Sequence, residues 1–358
     1  MFTLYKYELK KIFSQKYLIL VSIVMTLFLI AVGITPYFTG SIPTNQDVEK
    51  VSGRYIDDSL IHEVKDSNGK GVYSTIVDFM KQSVNSNEID DYYAADIYNK
   101  RLLTIEKDMQ NSYLSKAETD YWNKRAKEIE TPFVYYVDTG YAEVYDLISF
   151  LCMCVLMIVN VATSGIFAGE KASGTDQIIL CTKQGRGKLF GAKLLACITV
   201  GMIIPLAIFG IIVLVELSVF GFGGSNTPLQ VHFPTCLYKI TIGESLLYCL
   251  ARLVPAGIMW SCLTLFLSEV TGKQQACLAI SIALIFFSMI NVPESFGLIS
   301  RIWHYLPGAN NAGPWMFGEY RMINLFGVLL NDFYASAFVW LIVSTILIII
   351  SKKLYKRI

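Results

Sequence analysis

Charge is scarce in this chain: Asp, Glu, Lys and Arg supply 16% of its 358 residues, while apolar types supply 54%. Soluble proteins average about 25% charge. The deficit excludes a disordered chain and argues against a soluble enzyme. No basic stripe on a soluble fold is present, which removes nucleic acid as a partner. Histidine is limited to His62, His232 and His304. His232 and Cys236 are four apart, but Pro234 between them argues against a helix, so His232 reads as a loop residue rather than a metal ligand. The cysteines (Cys152, Cys154, Cys181, Cys197, Cys236, Cys249, Cys262 and Cys277) avoid residues 39–145 and form no C-x-x-C. That argues against a disulfide-stapled domain and against structural zinc. No G-x-x-x-x-G-K-[ST] occurs: Gly187-Lys188 runs into Leu189, and Gly272-Lys273 into Gln274. The chain therefore has no P-loop for ATP. G-x-S-x-G, H-E-x-x-H and a usable triad are also missing, so no catalytic, cofactor or metal residue is named. Asp57-Asp58 and Asp90-Asp91 fit no D-x-[DN]-x-[DN]-G calcium loop and read as a solvated acidic face.

What is abundant is long apolar sequence. A span needs roughly 20 apolar residues, and six segments come up to or near that, at about 17–38, 146–169, 190–220, 245–267, 275–293 and 332–351. The expected fold is an all-α integral membrane protein with six transmembrane helices. One side would hold Lys6, Lys10, Lys11, Lys16, Lys171, Lys183, Arg186, Lys188, Lys193, Lys273, Lys352, Lys353, Lys356 and Arg357; the short loops opposite hold Lys239, Arg301 and Arg321. This bias places both termini in the cytoplasm. Residues 39–145, with 12 Lys+Arg against 19 Asp+Glu, then form an extracellular domain, because long loops translocate regardless of charge. The first segment reads as a span rather than a cleaved leader. Its run of about 22 residues exceeds the 7–15 of a signal h-region, and no A-x-A site follows in Thr35-Pro36-Tyr37-Phe38-Thr39-Gly40.

Residues 1–16 read as an amphipathic helix, with Phe2, Tyr5, Leu9, Ile12 and Phe13 at 3–4 spacing and lysines between, suited to the membrane interface. In the polar block, Asn68-Gly69 suggests a turn between short strands at 60–65 and 72–76. Beyond Tyr73 the block reads as helical: Tyr98, Leu102, Ile105 and Met109 form a packing seam. Ser115 with Glu118 is a capping box opening a helix that carries Trp122 and ends before Pro132. Residues 170–188 form a cytoplasmic loop with a short apolar patch, Ile178, Ile179 and Leu180. Ser173 or Thr175 can cap a short helix there and Gly185 can end it, which suits docking on a cytoplasmic partner. Residues 291–331 are too broken by Pro and Gly to span and too apolar to be solvated, so two re-entrant or interfacial helices are expected before span 6. Asn291 and Glu294 read as interfacial. Glu216 and Arg252 are intramembrane charges. They can pair across spans 3 and 4, face a polar cavity, or snorkel.

The layout resembles the ABC-2 type family of ABC transporter permeases. Lys6-Tyr7-Glu8-Leu9-Lys10-Lys11 before span 1 is similar to the family's connecting helix. Glu170, Gly174 and Thr175, followed by Arg186 and Lys193, are similar to its E-x-x-x-G-T…R…K stretch, and Tyr305-Leu306-Pro307-Gly308 sits in a similar broken segment before the last span. The resemblance implies a permease subunit of an exporter in a bacterial cell membrane, assembled from two permeases and separate P-loop ATPase subunits that carry ATP and Mg. Residues 170–188 would be the ATPase-coupling loop, with Glu170, Gly174, Thr175, Ile178, Ile179, Leu180 and Arg186 as its coupling residues. It implies alternating access for an amphipathic substrate: a lipid, antimicrobial peptide or drug. The 39–145 block departs from the short loop of many members. The alternative is a non-transporting module in which the ATPase drives, or is controlled by, the external domain. In domain terms the expectation is a connecting helix at 1–16, a membrane domain at 17–38 and 146–351, the external domain at 39–145, and a basic tail at 352–358.

Overall fold

The computed structural model describes residues 1–38, 45–67, 71–85, 93–112, 114–181, 185–290, 292, 296–306, 314–325 and 327–357. Asn68-Gly69, Asp90-Asp91, Lys183, Asn291, Glu294 and Pro307-Gly308 lie outside them. The chain is mostly helical. Five helical stretches among the described residues are long and apolar enough to cross a membrane: Lys16–Phe38, Thr139–Ala172, Gly187–Phe220, Ile242–Thr271 and Asp332–Tyr355.

The chain opens with α1 (Phe2–Phe13) and α2 (Lys16–Gly33), followed by one turn, α3 (Thr35–Phe38). The α1 helix is amphipathic as expected, but its inward face is Tyr5, Glu8, Leu9 and Ile12, while Phe2 is exposed. It packs along the start of the third long helix, where the Tyr5 hydroxyl meets that of Thr199 at 2.9 Å.

The polar block holds α4 (Asn45–Val51), α5 (Asp58–Asp66), α6 (Ser74–Val84), α7 (Ala94–Asn111) and α8 (Lys116–Lys127), with a two-residue antiparallel pair, β1 (Arg54–Tyr55) against β2 (Val134–Tyr135). The hairpin expected around 60–76 is replaced by helix. Asp57 caps α5 by accepting from the Leu60 amide, and Leu60, Ile61 and Val64 share one buried face, a helical period that outweighs the turn signal. On α7 the buried stripe is Ile97, Arg101, Ile105 and Met109, with Tyr98 packed beside it; Ile105 and Met109 lie in the seam as expected, whereas Leu102 is exposed and Arg101 takes its place. The Ser115–Glu118 capping box forms in full, and Trp122 on α8 is buried.

The second stretch is α9 (Thr139–Thr163) continued, after a break at Ser164, by α10 (Gly165–Ala172). It is the centre of the bundle. Leu147, Cys152, Cys154, Val155 and Val159 are all buried, and α2 and two later spans pack round it. The freed groups at the break are bonded: Ser268 donates to the Ser164 carbonyl and accepts from the Phe167 and Ala168 amides, and Thr264 donates to Asn160 at 2.7 Å. A short α11 (Thr175–Cys181) and a π-helical turn (Gly185–Leu189) lead to α12 (Phe190–Phe220). The next span is α13 (Ile242–Thr271). It crosses α12 at Gly201 and Gly257, where a Cβ on Gly257 would stand 2.5 Å from the Gly201 carbonyl oxygen. Only glycine permits that backbone approach.

The fifth apolar segment forms α14 (Gln274–Ser288), 15 residues long. At 1.5 Å per residue it rises about 22 Å, short of the ~30 Å hydrocarbon layer. Among the described residues, the following region contains one short helix, α15 (Leu298–His304), a 3₁₀ turn at Pro314–Gly318, and a hairpin, β3 (Met322–Leu325) against β4 (Val328–Asn331); much of the stretch expected to hold two re-entrant helices lies outside them. The last helix, α16, runs from Asp332 to Arg357, so the basic residues from Lys352 to Arg357 are helical.

The polar domain is fastened to the loops at one end of the bundle. Trp122 donates its indole N–H to the Tyr320 carbonyl at 2.6 Å, Glu118 accepts from the Met322 amide at 3.0 Å, and Arg101 donates to the Pro234 carbonyl at 2.5 Å. Ile105, Met109 and Trp122 form one apolar cluster with Leu237, Tyr320 and Met322.

Candidate functional site

At the bundle end away from the polar domain, four charged side chains from three elements meet. Lys193 on α12 is fully buried and donates to Glu170 at 2.6 Å and to the Ile166 carbonyl at 2.6 Å. Glu170, on α10, also accepts from Lys11 of α1 at 2.8 Å. Glu8, one helical turn before Lys11, lies 3.8 Å from Lys193; burial pushes its carboxyl above the ordinary range despite Lys193 and Lys11. Next to this cluster Lys171 pairs with Glu269 of α13 at 3.0 Å. Two adjacent residues of α10 thus tie it to α1, α12 and α13.

The expected coupling residues lie directly beyond. The chain turns at Gly174, whose φ of +68° is a left-handed conformation open to glycine at little cost. Ser173 and Thr175 share a hydroxyl contact at 2.9 Å across the turn. Ile178 on α11 is 70% exposed. The backbones of Ile179 and Leu180 continue α11, and Arg186 lies in the π-helical turn. Of the residues named from sequence, the structure therefore brings Glu170 into a buried ion cluster and holds Gly174, Thr175 and Ile178 on a short projecting segment beside it. Glu8 and Lys11 were legible as part of an amphipathic helix, not as members of this cluster.

The pairing of Glu216 with Arg252 does not occur. Arg252 Nη1 donates to Asp332 Oδ2 at 2.5 Å, with both groups buried. His304 Nε2 lies 2.7 Å from the other Asp332 oxygen, and the Arg252 guanidinium sits 5.7 Å from the Trp340 ring. Glu216 is buried against Gly33 and Leu147 and has no hydrogen-bond partner among the described residues. The arginine's partner comes from α16, 80 positions away; the signal available in the sequence was an acid at the head of an apolar run.

A cavity of ≈ 440 Å³ lies between the polar domain and the start of α9. Asp78 of α6, Glu143 and Asp146 of α9, and His232 line it. His232 is held at 2.8 Å by Asp138. Burial alone would lower the imidazole pKa, but the Asp138 carboxylate, with Asp146 and Asp78 beyond it, raises it above the ordinary value. His232 is thus an ion-pair member in a loop, and no group of three metal-ligating side chains is present among the described residues.

A family model described as ABC-2 family transporter protein matches residues 2–304 of the chain. No curated protein matches it, and no solved structure does.

Proposed function

Because the chain belongs to the ABC-2 family of transporter proteins, and so is a permease component of an ABC-type system, we propose that it is the membrane half of an exporter driven by ATP hydrolysis on a separate subunit. The observation that carries this reading is the projecting 173–181 segment: a short helix with Ile178 exposed, braced through Glu170 and Lys171 against α1, α12 and α13. A helix so braced can pass a push from a docked ATPase into three elements at once. Nucleotide then shifts the equilibrium between inward- and outward-open states by its differential affinity for them. Two such permeases, with an amphipathic substrate moving between their spans, complete the proposal.

The topology proposed with it has six passes, both termini in the cytoplasm and residues 39–145 outside. The 15-residue α14 serves as the fifth pass. It leaves the end of α13, where Gln274 contacts Ser164 at 3.3 Å, and its far end meets α15 through the Trp303 indole bonded to the Ile290 carbonyl. The residue after α15, Tyr305, accepts from Trp340 near the head of α16.

The direct test is Ile178→Asp with a candidate P-loop ATPase subunit co-expressed. The expected result is loss of co-purification and of ATP-dependent export while the permease still inserts; undiminished co-purification and export overturn the reading. The fastening of the polar domain through Trp122 and Arg101 favours, as a second reading, a non-transporting module that transmits force or a signal. Reconstituted vesicles in which ATP hydrolysis is coupled to the domain yet moves no amphiphile would select it.

A further inference from the structure

Where the polar domain meets the heads of α13 and α16, six aromatic rings line a cavity of ≈ 260 Å³: Tyr121, Tyr238, Tyr248, Phe317, Phe333 and Tyr334. The rings pack edge to face, Tyr248 against Phe333 at 5.4 Å and Tyr238 against Phe317 at 5.9 Å, so the walls are preformed. Among the described residues, the charged ones lining it are Arg125 and Lys239. This is unusual ground for two cations, since the surrounding 39–145 block is net acidic. Arg125 pairs with Glu128 at 3.3 Å and lies 5.7 Å from the Tyr121 ring, and Lys239 pairs with Glu130 at 2.9 Å, with all four charged side chains well exposed. Such pairs hold little free energy against a competing anion.

We propose that this cavity binds the anionic headgroup of a phospholipid from the outer leaflet. The proposal rests on the topology given above, in which the heads of α13 and α16 reach the outer interface, and it is independent of what the transporter exports. Tyr248 and Tyr334 remain part-exposed on those helices, at the level where tyrosines favour the headgroup region. The volume falls below the ~300–1,000 Å³ of pockets that enclose a whole drug-sized ligand. It takes a glycerophosphate head, with the phosphate between Arg125 and Lys239 and phenol hydroxyls able to donate to its oxygens, while the acyl chains stay in the bilayer beside the exposed Tyr334 face.

The test is native mass spectrometry of the purified full chain with phosphatidylglycerol or phosphatidylcholine added, without the ATPase. The expected result is tighter retention of phosphatidylglycerol by about tenfold, lost in Arg125→Gln/Lys239→Gln, kept in Lys239→Arg, and unchanged in Arg54→Gln, which removes an exposed cation elsewhere on the domain. Equal retention of the two lipids, or a double variant that keeps the preference, overturns the proposal. So does full displacement of the lipid by soluble glycerol 3-phosphate at equal concentration, which would make the site one for a free phosphate ester. An unchanged thermal unfolding midpoint for the double variant shows that lost retention is not lost folding. Labelling of Glu130→Cys by an impermeant thiol reagent in intact cells reports the topology separately; if that residue is inaccessible, the topology fails rather than the headgroup site.

Discussion

The two ends of the bundle each bury an ion cluster, and they are built differently. At the polar-domain end, Arg252 and Asp332 share one short bond, with His304 on the second carboxylate oxygen. That second partner is an imidazole, not a permanent cation that could replace the guanidinium. At the other end, Lys193 and Lys11 both reach Glu170, and Glu8 waits 3.8 Å from Lys193. The first arrangement locks two spans together and is brittle. The second is redundant, and a redundant cluster can exchange partners when the helices it joins shift. That is the property wanted next to a segment meant to transmit motion, and the opposite of what a fixed clamp needs.

The largest effect expected is at the brittle end. Arg252→Gln or Asp332→Asn leaves a buried charge without its main partner and should lower stability in detergent by about 3–5 kcal/mol, whereas Arg252→Leu/Asp332→Leu together should cost less than the two single losses added. A double-mutant cycle by thermal or denaturant unfolding reads the coupling. The same cycle on Glu216→Gln with Arg252→Gln should be additive; strong coupling there would contradict the geometry. At the redundant end, Lys193→Met should cost only about 1–3 kcal/mol, because Glu170 keeps Lys11. A loss as large as that of Arg252 would erase the contrast between the two ends.

A smaller, pH-dependent effect is expected at the His232–Asp138 pair. The folded-state pKa of His232 lies above its unfolded value, so the pair's contribution is fully present below about pH 6.5 and is lost as the pH rises through the folded-state pKa. His232→Gln should flatten the fall in melting temperature across that range, and an unchanged slope would assign the fall elsewhere. The smallest effect belongs to Glu8→Gln. Glu8 stands 3.8 Å from Lys193 and already bears a burial penalty, so unfolding should change by less than about 1 kcal/mol, while coupling to the ATPase provides the more sensitive readout.

Much of this architecture was legible in the residues. The apolar runs mark five long spans to within several residues, because spanning depends on local composition. The Ser115–Glu118 box opened α8 as read, since a capping box is satisfied within four residues. The E-x-x-x-G-T stretch pointed to the projecting segment, and its glycine does turn in the left-handed region. The misreadings share a cause. The 60–76 hairpin and the place of Leu102 in the α7 seam were inferred from short windows in which helix, strand and turn signals compete, and tertiary burial decided among them. Residues 322–331 form a hairpin whose first strand is held by Glu118, 204 positions earlier.

What the sequence determined by itself is therefore what depends on neighbours along the chain: apolar runs, charge asymmetry, caps, the missing P-loop and the family motif. What only the tertiary structure decided is which buried charges meet. Arg252 could have faced Glu216, a cavity or the interface, and it faces Asp332 because α13 and α16 pack with those residues at one level. Glu170 finds Lys193 and Lys11 because α1 lies along α12 and the end of α10 reaches both. A charge in a low-dielectric interior is strongly coupled to whatever lies within a few ångströms, and that neighbour is set by helix rotation and depth, which one chain's residue order does not encode locally.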